Sequence, residues 1–106
     1  MKINTNGATQ SKQLLEYLLI QTTVTTTYCR DRMSIMHPAG RITELRKQGW
    51  PIGLGWYQQV DASGAKHKAG EYYMRMHQLT FDQRRLHSEL LIRRMSERLI
   101  LKTSRQ

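Results

Sequence analysis

The segment Ser34–Ile52 constrains the fold more than any other, because it holds the start, the body and the end of one short basic helix. Pro38 suits the first turn of a helix, where a missing backbone N–H costs nothing, and Gly49 followed by Pro51 is a stop signal. The sequence therefore predicts a helix from about His37 to Gln48. The remaining elements are expected to support it.

A period of 3.6 residues gives this helix an inward and an outward face. Ala39, Ile42 and Leu45 are predicted to turn inward. The outward stripe is predicted to hold four polar side chains, with Gly40 and Lys47 beside them: His37, Arg41, Glu44 and Gln48. All four can form hydrogen bonds and none is a bulky apolar residue, so the stripe is suited to a groove of DNA.

A likeness to a known family rests on three motifs: Ile35-Met36-His37, Arg41-Ile42-x-Glu44-Leu45-Arg46-Lys47 and Gly49-Trp50-Pro51-Ile52. Together they resemble a family of small winged helix-turn-helix proteins that is common in bacteriophages, prophages and mobile elements. The resemblance extends from about Ser11 to Met74. It implies a DNA-binding domain that leaves the last third of the chain unexplained.

Gly40 departs from the family pattern, which favours a helix former at this position. A glycine costs a helix roughly 0.5 to 1 kcal/mol relative to alanine. Three explanations remain open: close approach to a phosphate, packing against a neighbouring helix, or a looser helix.

Two helices and a short strand are predicted before this segment. Residues 1–10 are polar and small, and they read as a flexible lead. A first helix is predicted from Ser11 or Thr9 as its cap, with one apolar face: Leu14, Leu15, Leu18 and Leu19. Gln21–Val24 predicts a short edge strand. Thr25 or Thr26 then caps a second helix that contains Tyr28, Cys29, Arg30, Arg32 and Met33.

The residues after Gly49 predict a β-hairpin, or wing. Apolar residues alternate with glycines and polar residues, as in a half-buried strand: Ile52, Leu54, Trp56 and Val60. Asp61–Gly64 supplies a turn, and the returning strand is predicted from about His67 to Met76. Trp50 and Trp56 are expected to fill the core beneath the sheet, with stacking on nucleic acid as the alternative. The winged domain is thus expected to span residues 11–76.

A long amphipathic helix is predicted over residues 80–102, because Thr80-Phe81-Asp82-Gln83 has the pattern of a capping box. One stripe is expected to cover the core of the domain: Phe81, Ser88, Ile92, Met95 and Leu99. A second, nearly opposite stripe consists of Leu86, Leu90 and Leu101. Because it would otherwise face water, we expect it to form a homodimer contact. The alternative is a monomer whose helix adds arginines to the DNA-binding surface.

Composition limits the class of protein. The chain has 106 residues, enough for one domain, and its 17 Lys and Arg against 8 Asp and Glu give a net charge of +9. This charge predicts a polyanionic partner. With no run of eighteen apolar residues, no signal peptide and a lone Cys29, we expect a cytoplasmic protein that binds no membrane. Histidine spacing and scattered acids indicate neither a metal site, a cofactor, a small-molecule ligand nor catalysis.

The sequence thus predicts an α+β winged helix-turn-helix with three short helices, a β-hairpin wing and an added long C-terminal helix. We expect non-catalytic binding of double-stranded DNA by a phage or mobile-element transcriptional regulator. The predicted base contacts are His37, Arg41, Glu44 and Gln48, and the predicted phosphate contacts are Arg30, Arg32, Arg46, Lys47, Lys66 and Lys68. The alternatives are an excisionase-like architectural factor for recombination or replication, and a module that binds a repressor or polymerase.

Overall fold

The computed structural model describes residues 7–104, with side chains of the last helix described through Leu99. The elements in chain order are α1 (Gly7–Gln21), β1 (Thr23–Thr25), α2 (Thr26–Asp31), α3 (Pro38–Lys47), β2 (Ile52–Val60), β3 (Lys66–Met74), a 3-10 turn (Met76–Gln78) and α4 (Phe81–Ser104). The three strands form an antiparallel sheet in the order β1-β3-β2. The predicted α+β class, with its helix pair followed by a hairpin, is confirmed.

One apolar core joins the helices to the base of the sheet. Its centre consists of fully buried side chains from α1, α2, α3 and the turn before α3: Leu14, Leu18, Leu19, Cys29, Ile35, Ile42 and Leu45. The sheet closes this core with Val24, Ile52, Tyr72 and Met74. Burial of such side chains contributes roughly 1.5 to 3 kcal/mol each. The core therefore holds α3 against α1.

Two boundaries differ from the predicted ones. Helix α1 already includes Gly7, so Thr9 and Ser11 lie inside the helix and not before its first residue. Ser11 is buried, and its hydroxyl bonds to α3 instead. At the other end of the domain, Met76 is not in β3 but begins the 3-10 turn and packs partly buried against the core. Residues 1–6 of the predicted flexible lead lie outside the described residues.

The end of α3 has the hydrogen bonds of a Schellman motif. Gly49 has a φ of 97°, its N–H donates to Arg46 O at 2.9 Å, and the Trp50 N–H donates to Leu45 O at 3.2 Å. A left-handed residue at this position is favourable only for glycine. The chain therefore leaves α3 in one defined direction and enters β2. The predicted stop signal at Gly49 is confirmed.

Helix α2 begins at the predicted cap, since the Thr25 hydroxyl accepts a hydrogen bond from the Tyr28 N–H at 3.0 Å. The turn from α2 to α3 contains Ser34 with a φ of 58°, a left-handed conformation that costs a serine more than a glycine. Cys29 is buried, and burial raises the pKa of its thiol to about 11. It is thus a neutral core side chain.

The hairpin extends beyond the helices that cover its base. Two nine-residue strands are about 30 Å long. Trp50 is buried as predicted, whereas Trp56 is 67 % exposed, so the prediction that both tryptophans fill the core is wrong for Trp56. Leu54 and Val60 on the same strand are exposed as well. The predicted strand is present, but of its predicted half-buried face only Ile52, at the base of the strand, is covered by the core.

The prediction of which apolar stripe of α4 covers the core is wrong. The stripe expected to be buried is exposed, and Leu90 of the other stripe is buried. Leu90 is 5 % exposed and packs into the core near α1, whereas Phe81, Ile92 and Met95 are 78 %, 64 % and 65 % exposed. Leu99 and Ser88 also face solvent. Leu90 therefore packs within its own chain and is not available to a partner. Leu86 is half-exposed and borders the groove between α1 and α4. The Leu101 side chain lies outside the described residues.

The rotation of α4 is decided at its first turn. The predicted capping box is present: the Gln83 N–H donates to the Thr80 hydroxyl at 3.2 Å, and the Thr80 N–H donates to Gln83 Oε1 at 2.9 Å. The same amide also donates from Nε2 to Gly49 O at 3.1 Å. Gln83 thus ties the start of α4 to the end of α3. Leu86 and Leu90 lie on the same side of α4 as Gln83, which leaves the other stripe outside.

Two substitutions separate the effect of the Gln83–Gly49 hydrogen bond from that of the capping box. Gln83→Ala removes both, and we expect it to lower the free energy of unfolding by about 1 to 2 kcal/mol. Gln83→Glu keeps the acceptor of the capping box but cannot donate to Gly49, so it should cost about half as much. Urea unfolding followed by the fluorescence of buried Trp50 measures both. Ser96→Ala, on the exposed part of α4, is the control. If Gln83→Ala is as stable as this control, the stabilising role of the Gln83 hydrogen bonds is contradicted.

Candidate nucleic-acid interface

Helix α3 has three distinct sides. One is buried in the core through Pro38, Ile42 and Leu45. Pro38 takes the inward place predicted for Ala39, which is exposed. This difference rotates the exposed side of the helix away from the predicted stripe. The side opposite the core, the open face, is formed by Gly40, Thr43 and Lys47.

Arg41 and Glu44 lie on the flank of α3 that faces α1. The Ser11 hydroxyl donates to Glu44 Oε2 at 2.6 Å, and Arg41 Nη2 contacts Glu44 Oε1 at 3.1 Å. The Arg41 guanidinium also lies so close to Gly7 that a Cβ there would collide with it. The Arg41 side chain is 22 % exposed, and within the described chain its Nε atom is buried without a hydrogen-bond partner. These two residues hold α3 against α1.

The open face is small and free of acidic groups. A Cβ added to Gly40 would have no atom of the described chain within 4 Å, so no neighbouring helix explains this glycine. The Thr43 hydroxyl donates to Ala39 O at 2.9 Å, which leaves its methyl group and oxygen lone pairs toward solvent. Lys47 adds one positive charge at the end of the helix. A flat surface with one cation can approach a polyanion closely.

The predicted base-contacting residues are therefore divided between two places. His37 and Gln48 are exposed as the caps of α3, and the His37 side chain makes no capping hydrogen bond. Arg41 and Glu44 make the contacts with α1 described above. Base contact by these four residues stays a prediction.

The predicted phosphate-contacting residues are all exposed and lie on α2, α3 and the hairpin: Arg30, Arg32, Arg46, Lys47, Lys66 and Lys68. Arg46 is partly engaged, because its Nε donates to Ile52 O at 3.0 Å. That bond stiffens the side chain and leaves its terminal nitrogens outward. The basic side chains of α2, α3 and the hairpin are thus accessible to a polyanion.

The fold order, the open face of α3 and the basic hairpin agree with one family. The family described as winged helix-turn-helix domain matches residues 9–77. The chain belongs to the winged helix-turn-helix family. The match confirms the resemblance and leaves α4 outside. No curated protein and no solved structure matches this chain.

The winged helix-turn-helix is a DNA-binding fold that is generally non-enzymatic. Between residues 7 and 104, no helix combines the length and the apolar composition needed to cross a membrane. Within the same part of the chain, no three His, Cys, Asp or Glu side chains are grouped so that they could hold a metal ion.

The tip of the wing is built around one carboxylate. Asp61 Oδ1 accepts from the Ser63 N–H at 2.9 Å, the Ser63 hydroxyl at 2.6 Å and the Ala65 N–H at 3.0 Å, and Oδ2 contacts His67 Nε2 at 2.7 Å. Gly64 completes the turn with a φ of 87°. The bonds from the Ser63 and His67 side chains lower the pKa of Asp61 to about 2. This network orders the loop between Lys66 and the opposite strand.

Trp56, which the sequence placed in the core with stacking on nucleic acid as the alternative, is a surface residue. Its indole borders a groove between α2 and the wing, whose basic members are Arg30 and Lys68. The Thr27 hydroxyl bonds to Gln59 Oε1 at 3.1 Å in the same groove. The length of the predicted strand could have indicated this exposure. Strand β2 continues well past its last core residue, Ile52, so an aromatic side chain near its far end is not covered by the core.

The wing turn should loosen only in strong acid. Because the pKa of folded Asp61 lies below its usual value of 3.8, its stabilising effect is complete above that value and is lost as the pH falls through about 2. We expect the carboxyl carbon of Asp61 to titrate near pH 2 in an NMR pH series. The Ser63 and Ala65 amide signals should move with the same midpoint. Asp61→Asn is the control without this titration, and a midpoint near 4 in the wild type would contradict the network.

Proposed function

We propose that this protein binds double-stranded DNA without catalysis, with the open face of α3 in a groove and the wing beside it. The observation that carries the proposal is the surface of α3 itself: Gly40 and Thr43 leave it flat, and no acidic side chain stands on it. An α-helix fits the major groove of B-DNA when its outward side chains do not obstruct it. The net charge of +9 favours the same partner.

The residues of the open face suggest how it contacts DNA. Gly40 would let the helix backbone come close to the groove wall, which gives the glycine a function that offsets its cost to the helix. The outward methyl of Thr43 suits an apolar contact with a thymine methyl. Lys47 would hold a phosphate at the end of the helix.

The flank of α3 supports this arrangement by neutralising its one acid. Glu44 would repel the phosphate backbone if it were free, but it is bonded to Arg41 and Ser11. We therefore assign Arg41 and Glu44 to positioning α3, and His37 and Gln48 to contacts at the two ends of the helix. The exposed arginines and lysines of α2, α3 and the wing would hold phosphates.

The biological role proposed here is transcriptional regulation, and a phage or mobile-element origin follows from the family resemblance. A cytoplasmic location is part of this proposal. Footprinting on DNA selected from a random duplex pool tests the role. One site, or two adjacent half-sites, would support a regulator, whereas several sites in helical phase would instead indicate an architectural factor. Failure to bind any duplex at low salt would indicate a protein-binding module and would end the proposal.

Binding should be strongly electrostatic because basic residues outnumber the groups that can read bases. We expect log K to fall linearly with log salt, by about 0.9 unit for each phosphate contact. Combined Lys66→Ala and Lys68→Ala should lower that slope by nearly two units and leave sequence preference unchanged. Fluorescence anisotropy between low and moderate salt measures it. Arg93→Ala is the control, since Arg93 pairs with Glu16 at 3.4 Å between α4 and α1. A salt dependence of the wild type that is flat would contradict the phosphate contacts.

Gly40→Ala separates stability from binding. The added methyl has open space, so the free energy of unfolding should rise by roughly 0.5 to 1 kcal/mol. The same methyl would stand between α3 and the groove, and duplex affinity should fall on the order of tenfold. Thermal unfolding and anisotropy on the selected site measure the two effects. A stabilised variant that binds as tightly as the wild type would contradict the placement of the open face.

Two comparison variants complete this experiment. Ala39→Gly should lower stability by a similar amount while affinity changes little, because it removes a methyl group beside the open face. Arg41→Ala should lower stability through the lost contact with Glu44 and leave the preference among sequences unchanged. Loss of preference at one base pair would show instead that Arg41 reads a base.

A further inference from the structure

The apolar side chains in the second half of α4 are largely exposed: Leu91 by 40 %, and Ile92, Met95 and Leu99 by 64 to 65 %. The helix is about 36 Å long, and the described residues beyond Leu90 are exposed on every side, from Leu91 to Leu99. The radius of gyration is 15.8 Å, against about 13 Å for a compact domain of this length. An isolated helical segment of this size is marginally stable in water. Its apolar side needs a partner.

The exposed apolar stripe has the spacing of a coiled-coil seam. Counting heptads along α4 places Arg85, Ile92 and Leu99 at a positions and Phe81, Ser88 and Met95 at d positions. The apolar members expose on the order of 500 Å² in total, which is a large part of the about 800 Å² that a stable partner covers. Because Arg85 would face Arg85 of the second copy and repel it, the contact is strongest at Ile92, Met95 and Leu99.

The charges beside the seam differ in sign from one flank to the other. Arg84 and Arg98 occupy g positions on one flank, and Asp82 and Glu89 occupy e positions on the other. In a parallel pair, each g residue meets the e residue five positions further along the partner, so Arg84 meets Glu89 twice. In an antiparallel pair the basic flanks would face each other. The helix therefore complements a second copy of itself in parallel orientation.

We propose that α4 pairs with α4 of a second copy of this chain as a parallel, in-register coiled coil through Phe81, Ile92, Met95 and Leu99. The winged domains then lie on opposite sides of the helix pair, because each is attached to the Leu90 side of its own α4. The contact differs from the one expected from the sequence, which used Leu86 and Leu90. It also requires no DNA, so its failure would leave the proposed DNA binding untouched.

Sedimentation equilibrium of the full chain without DNA tests the contact. We expect the wild type to dimerise and the combined Ile92→Glu, Met95→Glu variant to be monomeric. Both positions are about two-thirds exposed. The variant should therefore have the same circular dichroism and unfolding midpoint as the wild type diluted until it is monomeric. Leu86→Glu, on the α1 side, is the comparison and should still dimerise. A wild type that stays monomeric at about 100 µM, or a seam variant that dimerises as well as the wild type, would overturn the proposal.

The orientation has its own test. Arg84→Glu or Glu89→Arg alone should raise the dimer dissociation constant on the order of fivefold, and the double variant should restore it, because opposite charges then meet again. An antiparallel pair would respond in the opposite way to Arg84→Glu, which would relieve repulsion between basic flanks. As a second readout, Met95→Cys should form an intermolecular disulfide under mild oxidation, while buried Cys29 should not. Failure of both readouts in a dimeric protein would overturn the parallel arrangement.

Discussion

The burial of Pro38, Ile42 and Leu45 determines how α3 is rotated, and the proposed interface depends on that rotation. A helix turns about 100° per residue, so exchanging Ala39 for Pro38 beside Ile42 and Leu45 turns the buried side by about 30° and changes which residues meet a partner. With Pro38 inward, Arg41 and Glu44 come to the flank beside α1, where Ser11 completes a polar contact. The open face then consists of the residues least able to obstruct a groove. Core packing thus selects the surface that is proposed to approach DNA.

The chain around Gly49 transmits this rotation to the rest of the molecule. Its left-handed conformation ends α3 and directs the chain into β2, so helix and wing keep a defined relation. Gln83 bonds to the carbonyl of the same glycine, which also fixes the beginning of α4. Three elements therefore meet at one turn. A substitution that disturbs this turn would alter the interface and the direction of α4 together.

Sequence patterns were reliable where one physical requirement acts locally. The capping box at Thr80, the stop at Gly49 and the wing turn at Asp61–Gly64 were all predicted and are present, because each depends on hydrogen bonds within a few residues. They were unreliable where two solutions satisfy the same pattern. Either stripe of α4 is apolar enough to pack on a domain, and alternation in β2 does not tell how far the core extends. Trp56 and Leu90 were misplaced for these reasons.

The sequence predicted the order of the elements, the family and the basic character of the molecule, since helix caps, turns, periodicity and charge are properties of short segments. It also identified α3 as the central element. Packing of the folded chain fixes which side of α3 is open, that Trp56 is exposed and which side of α4 faces outward. These outcomes depend on contacts between residues far apart in the chain, such as Ser11 with Glu44 and Gln83 with Gly49. Periodicity shows that a helix has distinct sides, but the neighbour that covers one side is known only when the chain has folded.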